Sequence, residues 1–526
     1  MVDKSEKEGI LPKFPDSYWL ESSNIPQFSP LQEDIQADVV IVGGGITGIT
    51  AAYLLIQEGL KVALLEGDRL MNGTTGHTTA KITAQHNLIY DELIRHFGEE
   101  AAKQYYEANT DALEFIAKTV KDHDIDCGFI RQEAYLYATT PEYADKLEKE
   151  YEAYQKLGIS GELQSEIPFD QKVENVLSMK NQAQYHPLQY LIKLVETIEK
   201  SGGQIYEQTT AVNVERTDKG TAVLTRDGFR VTGEYVLACT HFPFYEGAGL
   251  YSTRMYADRS YLIAVKTKQD YPGGMYLSVD QPSRSLRAAT AGKENIVLVG
   301  GESHKTGQGK DTLEYYKALA SFSEEVLHST DILYRWSAQD LTTLDKIPYI
   351  GQVTAGQPNV LIATGYRKWG MTSGTAAARL LRDIVMDRHS PYRNLFAPSR
   401  FQADPSARKF VKENVDVAKH LIKGKLELPV KRIHDLARDQ GAAVTIKGKR
   451  KGAYRDEEGK VHVVDTTCTH MGCEVNWNHG DRTWDCPCHG SRFSFTGEVV
   501  EGPAEKPLQK DEHTFFDNIF SEDSGY

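Results

Sequence analysis

The sequence predicts an α/β domain into which an α+β domain is inserted in pieces, followed by a small all-β domain. Two observations carry this prediction. Near the N-terminus a short apolar run, residues 38–42, leads into a glycine-rich turn and then a helix with one apolar face. Near the C-terminus, from about residue 430 to residue 515, short strand-like runs alternate with turns, and cysteines and histidines cluster among them.

The composition is that of a globular protein that does not bind nucleic acid. The chain has 526 residues, of which 40% are apolar and 25% are charged, so it can bury a core. Its 60 basic and 74 acidic residues give a net charge of -14, whereas phosphate binding needs a basic face. The N-terminus carries early charges of both signs and no apolar run. We therefore expect neither a secretory signal nor a transmembrane segment, and a cytoplasmic location.

The first 30 residues are interpreted as an N-terminal lead-in. They contain Pro12, Pro15, Pro26 and Pro30, which fix backbone angles and favour an extended chain. We therefore expect residues 1–30 to pack on a domain rather than to form one.

The glycine-rich turn matches a dinucleotide-binding loop. It fits the pattern G-x-G-x-x-G between a strand and a helix, and an acidic residue ends the next strand, 18 residues past the third glycine. The first glycine permits the tight turn, the second lets the backbone approach a pyrophosphate, and the third lets the helix pack on the strand. The helix N-terminus faces the negative charge, and the acidic residue accepts hydrogen bonds from a ribose. A glycine-rich turn without a ligand is the alternative. The residues nominated for this site are Gly43, Gly45, Ile46, Thr47, Gly48 and Glu66.

At this point the chain resembles the glycine/D-amino-acid oxidase superfamily of FAD-dependent amine and amino-acid oxidoreductases. The resemblance rests on the segments DVVIVGGGITG, LEGDRLMNGTTGHTTAK, IVLVGGESH, TTLDKIPYIG and NVLIATGYRKWGMT, and it covers roughly residues 31–401. It implies that the cofactor is FAD rather than NAD, and that a Rossmann-type FAD-binding domain is interleaved with an α+β substrate domain. The implied FAD-binding parts are about 31–90, 185–250 and 330–390, and the substrate parts are about 91–184 and 251–329.

The resemblance also nominates residues beside the flavin and in the substrate pocket. In this superfamily the segment after the acidic residue runs past the flavin, and a late segment contacts its pyrimidine edge. Here these residues are Gly73, Thr74, Thr75, His77 and Thr78, followed by Gly365, Trp369, Gly370, Met371 and Thr372. Candidates for the pocket are Tyr256, Arg259, Arg287 and His304, among which an arginine would pair with a substrate carboxylate. Ordinary core or surface positions are the alternative for these four residues, and no general base is identified.

The C-terminal part is set off by a charged stretch. Residues 402–429 carry many charges and few turn signals, and they are interpreted as a linker, with a connecting helix as the alternative. Residues 430–515 form the predicted all-β domain, and residues 516–526 are interpreted as a frayed tail.

Four residues of the all-β domain have the spacing of an iron–sulfur site. Cys468 and His470 form C-x-H, and after 15 further residues Cys486 and His489 form C-x-x-H. This pattern resembles a Rieske [2Fe–2S] site, in which two thiolates hold one iron and two imidazoles hold the other. A zinc site is the alternative, although zinc usually takes paired cysteines two to four residues apart.

The resemblance to Rieske proteins has two further implications. In the high-potential members of cytochrome bc complexes a disulfide ties the two cluster loops together, which implies a bond between Cys473 and Cys488 here. Those members also carry a serine and then a tyrosine that donate hydrogen bonds to sulfur. This chain keeps Ser491 but has Phe493 in the tyrosine position. Because one donor is missing, we expect a lower, intermediate reduction potential.

The combination predicts a dehydrogenase that splits an electron pair. A flavin accepts two electrons from a C–H bond, whereas a Rieske cluster carries one at a time. We therefore expect oxidation of an amine or amino acid, with FAD feeding the cluster and the cluster feeding an external one-electron acceptor. The alternatives are an oxygen-using amine oxidase with a structural or sensing cluster, and an electron-transfer flavoprotein without an organic substrate. A Rieske oxygenase is disfavoured because only 37 residues follow His489.

His77 provides a first test of this interpretation. In relatives resembling dimethylglycine dehydrogenase a histidine at a similar place is linked covalently to the flavin, but Gly73–His77 lacks the aromatic residue that precedes it there. We expect acid denaturation to release the FAD into the supernatant, where its absorbance is measured. Flavin that stays with the precipitate, and is freed only in His77→Ala, would show a covalent link.

Overall fold

The computed structural model describes residues 11–511, except 219, 292–293, 401–402, 427–428 and 430. The predicted tail and the first ten residues of the lead-in lie outside this range. The chain divides into two compact units. Unit 1 extends to Met255 and takes up Ser260–Ser303 and Tyr316–Ala407, whereas unit 2 comprises Tyr256–Arg259, His304–Tyr315 and the chain from Arg408.

Eight helices are described before residue 400. They are α1 Tyr18–Glu21, α2 Ile46–Gln57, α3 Tyr90–Asp122, α4 Pro141–Leu157, α5 Pro187–Lys200, α6 Leu313–Leu327, α7 Gly370–Val385 and α8 Arg393–Phe396. Short 3₁₀ turns are described at Thr74–His77 and Tyr251–Thr253.

Nineteen strands are described in the same part of the chain. They are β1 Ile35–Gln36, β2 Val39–Val42, β3 Val62–Leu65, β4 Lys81–Ile82, β5 Ile130–Ala138, β6 Leu163–Gln164, β7 Asn175–Gln184, β8 Gln204–Tyr206, β9 Ala211–Thr217, β10 Gly220–Thr225, β11 Arg230–Gly233, β12 Tyr235–Ala238, β13 Met255–Lys266, β14 Met275–Ser278, β15 Arg284–Ala291, β16 Glu294–Lys305, β17 Ile332–Thr343, β18 Tyr349–Gln352 and β19 Val360–Thr364.

A six-stranded sheet forms the nucleotide-binding part, with the order β18-β19-β12-β2-β3-β8. Strand β2 runs parallel to both of its neighbours, β3 and β12. All four residues of β2 are buried, as expected for a strand covered on both faces. This sheet and helix α2 confirm the predicted Rossmann-type architecture.

A second large sheet makes up the α+β part. It has nine strands in the order β17-β13-β16-β15-β14-β5-β7-β4, with β6 paired to β7. Its strands come from residues 81–184 and 255–343, between strands of the six-stranded sheet in sequence, so the predicted interleaving is confirmed. Strands β1, β11, β10 and β9 form a third, four-stranded sheet.

Unit 2 contains two small antiparallel sheets, which confirm the predicted all-β architecture. One has the order β20-β21-β22 and the other β23-β24-β25-β26. The fully buried Trp484 and Phe493 lie in the core of this unit. A helix, α9, spans most of the stretch interpreted as a linker. The bounds are α9 Ala403–Leu426, β20 Gln440–Ile446, β21 Lys449–Arg455, β22 Val461–Val464, β23 Asn476–Asn478, β24 Thr483–Asp485, β25 Arg492–Ser494 and β26 Val499–Glu501, with a 3₁₀ turn at Ile433–Asp435.

Among the described residues, none of the helices is both long enough and apolar enough to cross a membrane.

Candidate cofactor sites

The glycine loop between β2 and α2 is crowded on one side and open on the other. A Cβ on Gly48 would lie 1.9 Å from the carbonyl oxygen of Gly43, and one on Gly43 would lie 2.5 Å from that of Cys239. Gly43 also has a φ of +109°, which side chains disfavour. At Gly45 only the Thr75 hydroxyl comes near, at 3.0 Å. The loop therefore requires glycine for packing while its Gly45 face stays accessible to a ligand.

Glu66 closes the loop from the end of β3. One carboxylate oxygen accepts the Gly44 N–H at 2.7 Å, and the other accepts the Asp68 N–H at 2.9 Å. Burial raises the pKa of this carboxyl group, although the hydrogen bonds from Asp68 and Gly44 oppose the shift. Each oxygen has a second lone pair, so the hydrogen bond to a ribose that the sequence predicts is still available.

The segment from Gly73 to Thr78 is fastened at several points. The Thr75 hydroxyl accepts the Ile46 N–H at 3.1 Å, and the Thr74 hydroxyl donates to the Gln339 carbonyl at 3.2 Å. His77 places Nδ1 2.9 Å from the Gly73 carbonyl oxygen. Since a carbonyl only accepts, this contact assigns the proton to Nδ1.

Two buried tryptophans hold the backbone of the same segment. Trp336 donates its indole N–H to the His77 carbonyl at 2.9 Å, and Trp19 donates to the Thr78 carbonyl at 2.7 Å. Trp19 is fully buried, so residues of the lead-in take part in this packing.

The late segment meets the glycine loop where α7 begins. A Cβ on Gly374 would lie 2.8 Å from the Thr47 hydroxyl, so the first turns of α2 and α7 are in close contact. The Thr372 hydroxyl donates to the Thr83 carbonyl at 2.9 Å, and Met371 accepts a hydrogen bond from Tyr185. The structure thus gathers Gly43, Gly45, Ile46, Thr47, Gly48, Glu66, Thr74, Thr75, His77, Thr78, Gly365, Trp369, Gly370, Met371 and Thr372 within unit 1.

His86 was not found from the sequence, because nothing in its neighbourhood marks it. It is fully buried and stacks on Trp369 with 4.8 Å between ring centroids. Its ring nitrogens contact the Tyr105 hydroxyl at 2.7 Å and the Thr83 carbonyl at 2.8 Å. Burial lowers the pKa of His86 well below its usual value, which favours the neutral ring. The stacking contact orients Trp369.

The four pocket candidates divide between the units. Tyr256, Arg259 and His304 belong to unit 2, where Arg259 pairs with Glu501 at 2.8 Å. Arg287 lies in unit 1 and is buried, and it donates to the carbonyls of Thr79 and Ala80 at 2.9 and 2.7 Å. Its guanidinium therefore holds the backbone that directly follows Thr78.

Lys81, on β4, is a second buried cation that the sequence did not reveal. Its ammonium donates to the Tyr276 carbonyl at 2.9 Å. Within the part of the chain that the structure describes, the side chains of Lys81 and Arg287 both donate to backbone carbonyls and neither pairs with an acidic residue. Burial, and secondarily the charge of Arg287, lowers the pKa of Lys81 to about 7. The residues around it, Thr79-Ala-Lys-Ile-Thr83, gave no signal of its burial in the sequence.

In unit 2 the two cysteines of the predicted cluster are neighbours. Cys468 follows β22 and Cys486 follows β24, and both are buried free thiols. Their mutual hydrogen bond lowers the pKa of Cys468 to about 7 and raises the pKa of Cys486. Two sulfurs that share one proton are suited to bind a metal as thiolates.

The two histidines are also brought together. The rings of His470 and His489 lie 5.1 Å apart and perpendicular to one another. Among the described residues, no hydrogen-bond partner exists for the buried Nδ1 of His489. Burial, and then the charge of His470, lowers the pKa of His489 to about 4, which favours the neutral form that binds metals. The donor set therefore fits a [2Fe–2S] cluster held by Cys468, His470, Cys486 and His489.

The remaining two cysteines of this region form the predicted disulfide, Cys473–Cys488. The sulfur of Cys486 lies within 4.8 Å of both disulfide sulfurs. This sulfur triplet is not a metal site, because two of its members are already bonded to each other. The disulfide instead joins the loop of Cys468 to the loop of Cys486.

Ser491 links the cluster loops to the proline-containing loop after β26. The Ser491 hydroxyl accepts the Ala504 N–H at 3.0 Å. It also forms a hydrogen bond with the Cys468 sulfur, which helps to lower the pKa of Cys468. Phe493, two residues on, is fully buried in the same core. An apolar ring thus occupies the position at which the resemblance to Rieske proteins implies a hydroxyl donor.

Comparisons with known proteins agree with these two sites. The family model for FAD-dependent oxidoreductases matches residues 38–384, and the model for the Rieske [2Fe-2S] domain matches residues 427–512. A Bacillus subtilis (strain 168) protein, YhfW, whose name describes a Rieske 2Fe-2S iron-sulfur protein, is 52% identical over 496 residues, 94% of this chain and 97% of that protein.

Two further similarities concern the larger unit. The gamma-glutamylputrescine oxidoreductase of Escherichia coli (strain K12) is 24% identical over 398 residues, 72% of this chain and 91% of that protein. The crystal structure of glycine oxidase from Geobacillus kaustophilus superposes with a TM-score of 0.60 at 17% identity, covering 70% of this chain and 99% of that one. This second likeness shows the fold.

The ligand set predicts the outcome of removing one histidine. We expect equal amounts of iron and acid-labile sulfide in the parent protein. His489→Ala is expected to lose both and to retain FAD, because the FAD site lies in unit 1. Elemental analysis and flavin absorbance measure both contents. His434→Ala, which changes an exposed histidine of the same unit, is the control and keeps the cluster. Zinc without sulfide in the parent protein would contradict the assignment.

Because Phe493 stands in the tyrosine position, a tyrosine placed there tests the effect of the hydroxyl on the cluster. Phe493→Tyr is expected to raise the midpoint potential by about 40 mV, since a hydrogen bond contributes roughly 1 kcal/mol net and a tenfold change is about 59 mV for one electron. Redox titration followed by electron paramagnetic resonance measures the potential. The control is Phe495→Tyr, two residues further on, which should leave it unchanged. An unchanged potential in Phe493→Tyr would show that the hydroxyl does not reach the cluster.

Proposed function

The chain belongs to the FAD-dependent oxidoreductase family and carries a Rieske domain, and we propose that it oxidises an amine or amino acid and passes the electrons through the cluster to an external one-electron acceptor. The observation that carries this proposal is the presence of both sites in one chain. Bound FAD supplies two-electron oxidation, and a bound Rieske cluster supplies one-electron transfer. A chain with both can deliver one electron at a time to its acceptor.

Two buried basic side chains of unit 1 favour a substrate that carries a carboxylate. Lys81 and Arg287 are buried basic side chains of the nine-stranded sheet, and burial lowers the pKa of both. Neither forms an ion pair with an acidic residue described in the structure. A buried cation without a counter-charge is costly, and an incoming anion offsets that cost. The names of the similar proteins, gamma-glutamylputrescine oxidoreductase and glycine oxidase, support a nitrogen-containing substrate.

The residues around the cluster support electron transfer rather than a purely structural cluster. His489 is held neutral, and Ser491 retains a hydrogen bond to a ligand sulfur. Outer contacts of this kind tune the potential of a cluster. A structural site would need the four ligands but not a donor to sulfur.

Anaerobic stopped flow tests the electron route. The reductant is chosen from a panel of amines and amino acids, with and without a carboxylate, by its ability to bleach the flavin. We expect flavin bleaching to be followed by the rhombic resonance of a reduced Rieske centre. A cluster that stays oxidised over many turnovers contradicts the proposal and supports the oxidase. Failure of the whole panel supports an electron-transfer flavoprotein instead.

Two variants separate the steps of this experiment. Cys486→Ser should keep the first flavin reduction and lose turnover with cytochrome c as a one-electron probe. The control Cys127→Ser, which changes a buried cysteine of unit 1, should keep both.

Lys81→Met should raise the concentration of a carboxylate substrate needed for half-maximal bleaching about tenfold. This factor corresponds to roughly 1.4 kcal/mol for one lost charged hydrogen bond. The exposed Lys61→Met should leave it unchanged.

A further inference from the structure

A short segment far upstream in the sequence belongs to the iron–sulfur unit. Residues 305–312, here called the support segment, begin at the last residue of β16, yet they are part of unit 2 with the chain from Arg408 onward. The second ligand loop, residues 486–491, connects β24 to β25 and carries Cys486 and His489. The contacts between these two segments lie within unit 2.

The closest approach is at Gly307, which has a φ of +69°. A Cβ there would lie 2.6 Å from the Pro487 nitrogen, 2.7 Å from the Cys486 carbonyl carbon and 2.8 Å from the Asp485 oxygen. All three are backbone atoms, which cannot move aside as the tip of a side chain does. The support segment therefore lies directly against the backbone of a cluster ligand.

Gln308 adds a polar contact to the same loop. Its amide donates to the Pro487 carbonyl at 3.3 Å and to the Asp416 carboxylate of α9 at 3.2 Å. Lys305 holds the segment on α9, with its ammonium 2.6 Å from Glu413 and 2.7 Å from Asp416. Gln308 is thereby oriented toward the ligand loop from a second element.

The far end of the support segment contacts the end of β23 and the turn that follows it. The Thr312 hydroxyl donates to the side chain of Asn478 at 2.6 Å and accepts the Gly480 N–H at 2.8 Å. Asn478 in turn donates to Asp485 at 2.8 Å, directly before Cys486. The Gly307 carbonyl accepts from Asn476 at 2.9 Å, so both ends of the segment are fixed.

We propose that the support segment positions the second ligand loop, with Gly307 and Gln308 as positioning residues for the cluster. The match to the Rieske model begins at residue 427 and does not include this segment. Outer contacts of this kind typically contribute about 10–100-fold to metal affinity and also set the electronic environment of the metal. The inference depends on the cluster being bound but not on the substrate or on the proposed electron route.

The test uses full-length holoprotein reduced with dithionite, so no substrate is involved. In Gly307→Ala we expect shifted g-values in the electron paramagnetic resonance spectrum and iron loss to a chelator at least about tenfold faster than in the parent protein. The matched control is Gly459→Ala. Gly459 also has a positive φ, of +91°, but a Cβ there would meet nothing within 4 Å. FAD content reports on the folding of unit 1.

The comparison of the two variants decides the proposal. Shifted g-values or faster iron loss in Gly307→Ala, with the control unchanged, support it. Parent-like spectra and iron loss in Gly307→Ala overturn it. If Gly307→Ala does not fold, Gln308→Ala is compared instead with the exposed Gln509→Ala as its control. Gln308→Ala removes the amide that donates to Pro487 and Asp416 and introduces no clash. A parent-like spectrum in Gln308→Ala then overturns the proposal, and a shifted one supports it.

Discussion

The close packing of helix α2 on strand β2 is the contact on which unit 1 depends. Gly48 and the Gly43 carbonyl leave no space for a methyl group between helix and strand. This contact sets where the helix begins, and the N-terminus of α7 then packs against it through Gly374. Because extra atoms in such a contact typically cost about 1–3 kcal/mol, the packing of α2 on β2 and of α7 on α2 depends on Gly48 and Gly374.

Unit 2 is organised by buried charge as well as by apolar packing. Arg492 contacts three carboxylates, of Asp485, Asp481 and Glu501, at 3.2, 2.9 and 3.1 Å. Arg259 adds a second buried guanidinium to Glu501. Removing one partner of a buried pair typically costs about 3–5 kcal/mol, so this network fixes how β24, β25 and β26 lie together. Its position next to Cys486 places the ligand loop on a rigid base.

Local backbone constraints made the nucleotide loop and the ligand spacing predictable from the sequence. The observed loop admits few residues other than glycine at positions 43 and 48, and cysteine and histidine at fixed spacing restrict the chemistry. The assignment of residues 305–312 to unit 2 had no such signal, because it depends on contacts with residues more than a hundred positions away. Lys81 and His86 were missed for the same reason, since their burial is decided by distant strands and helices. Helix α9 covers most of the stretch interpreted as a linker or a connecting helix, and its Val417 and Leu421 pack on the core of unit 2.

The discontinuity of unit 2 determines when it can be completed during synthesis. A ribosome adds about 5–20 residues per second, so residues 304–315 emerge roughly 10–40 s before the last strand of the unit. During that interval the ligand loop that Gly307 and Gln308 contact has not been made, and Arg259 lacks the Glu501 carboxylate. Non-local contacts of this kind also close slowly, because the chain entropy is lost before they form. Acquisition of iron and sulfide is thereby confined to the finished chain, and an early stop removes the cluster while leaving the glycine loop intact.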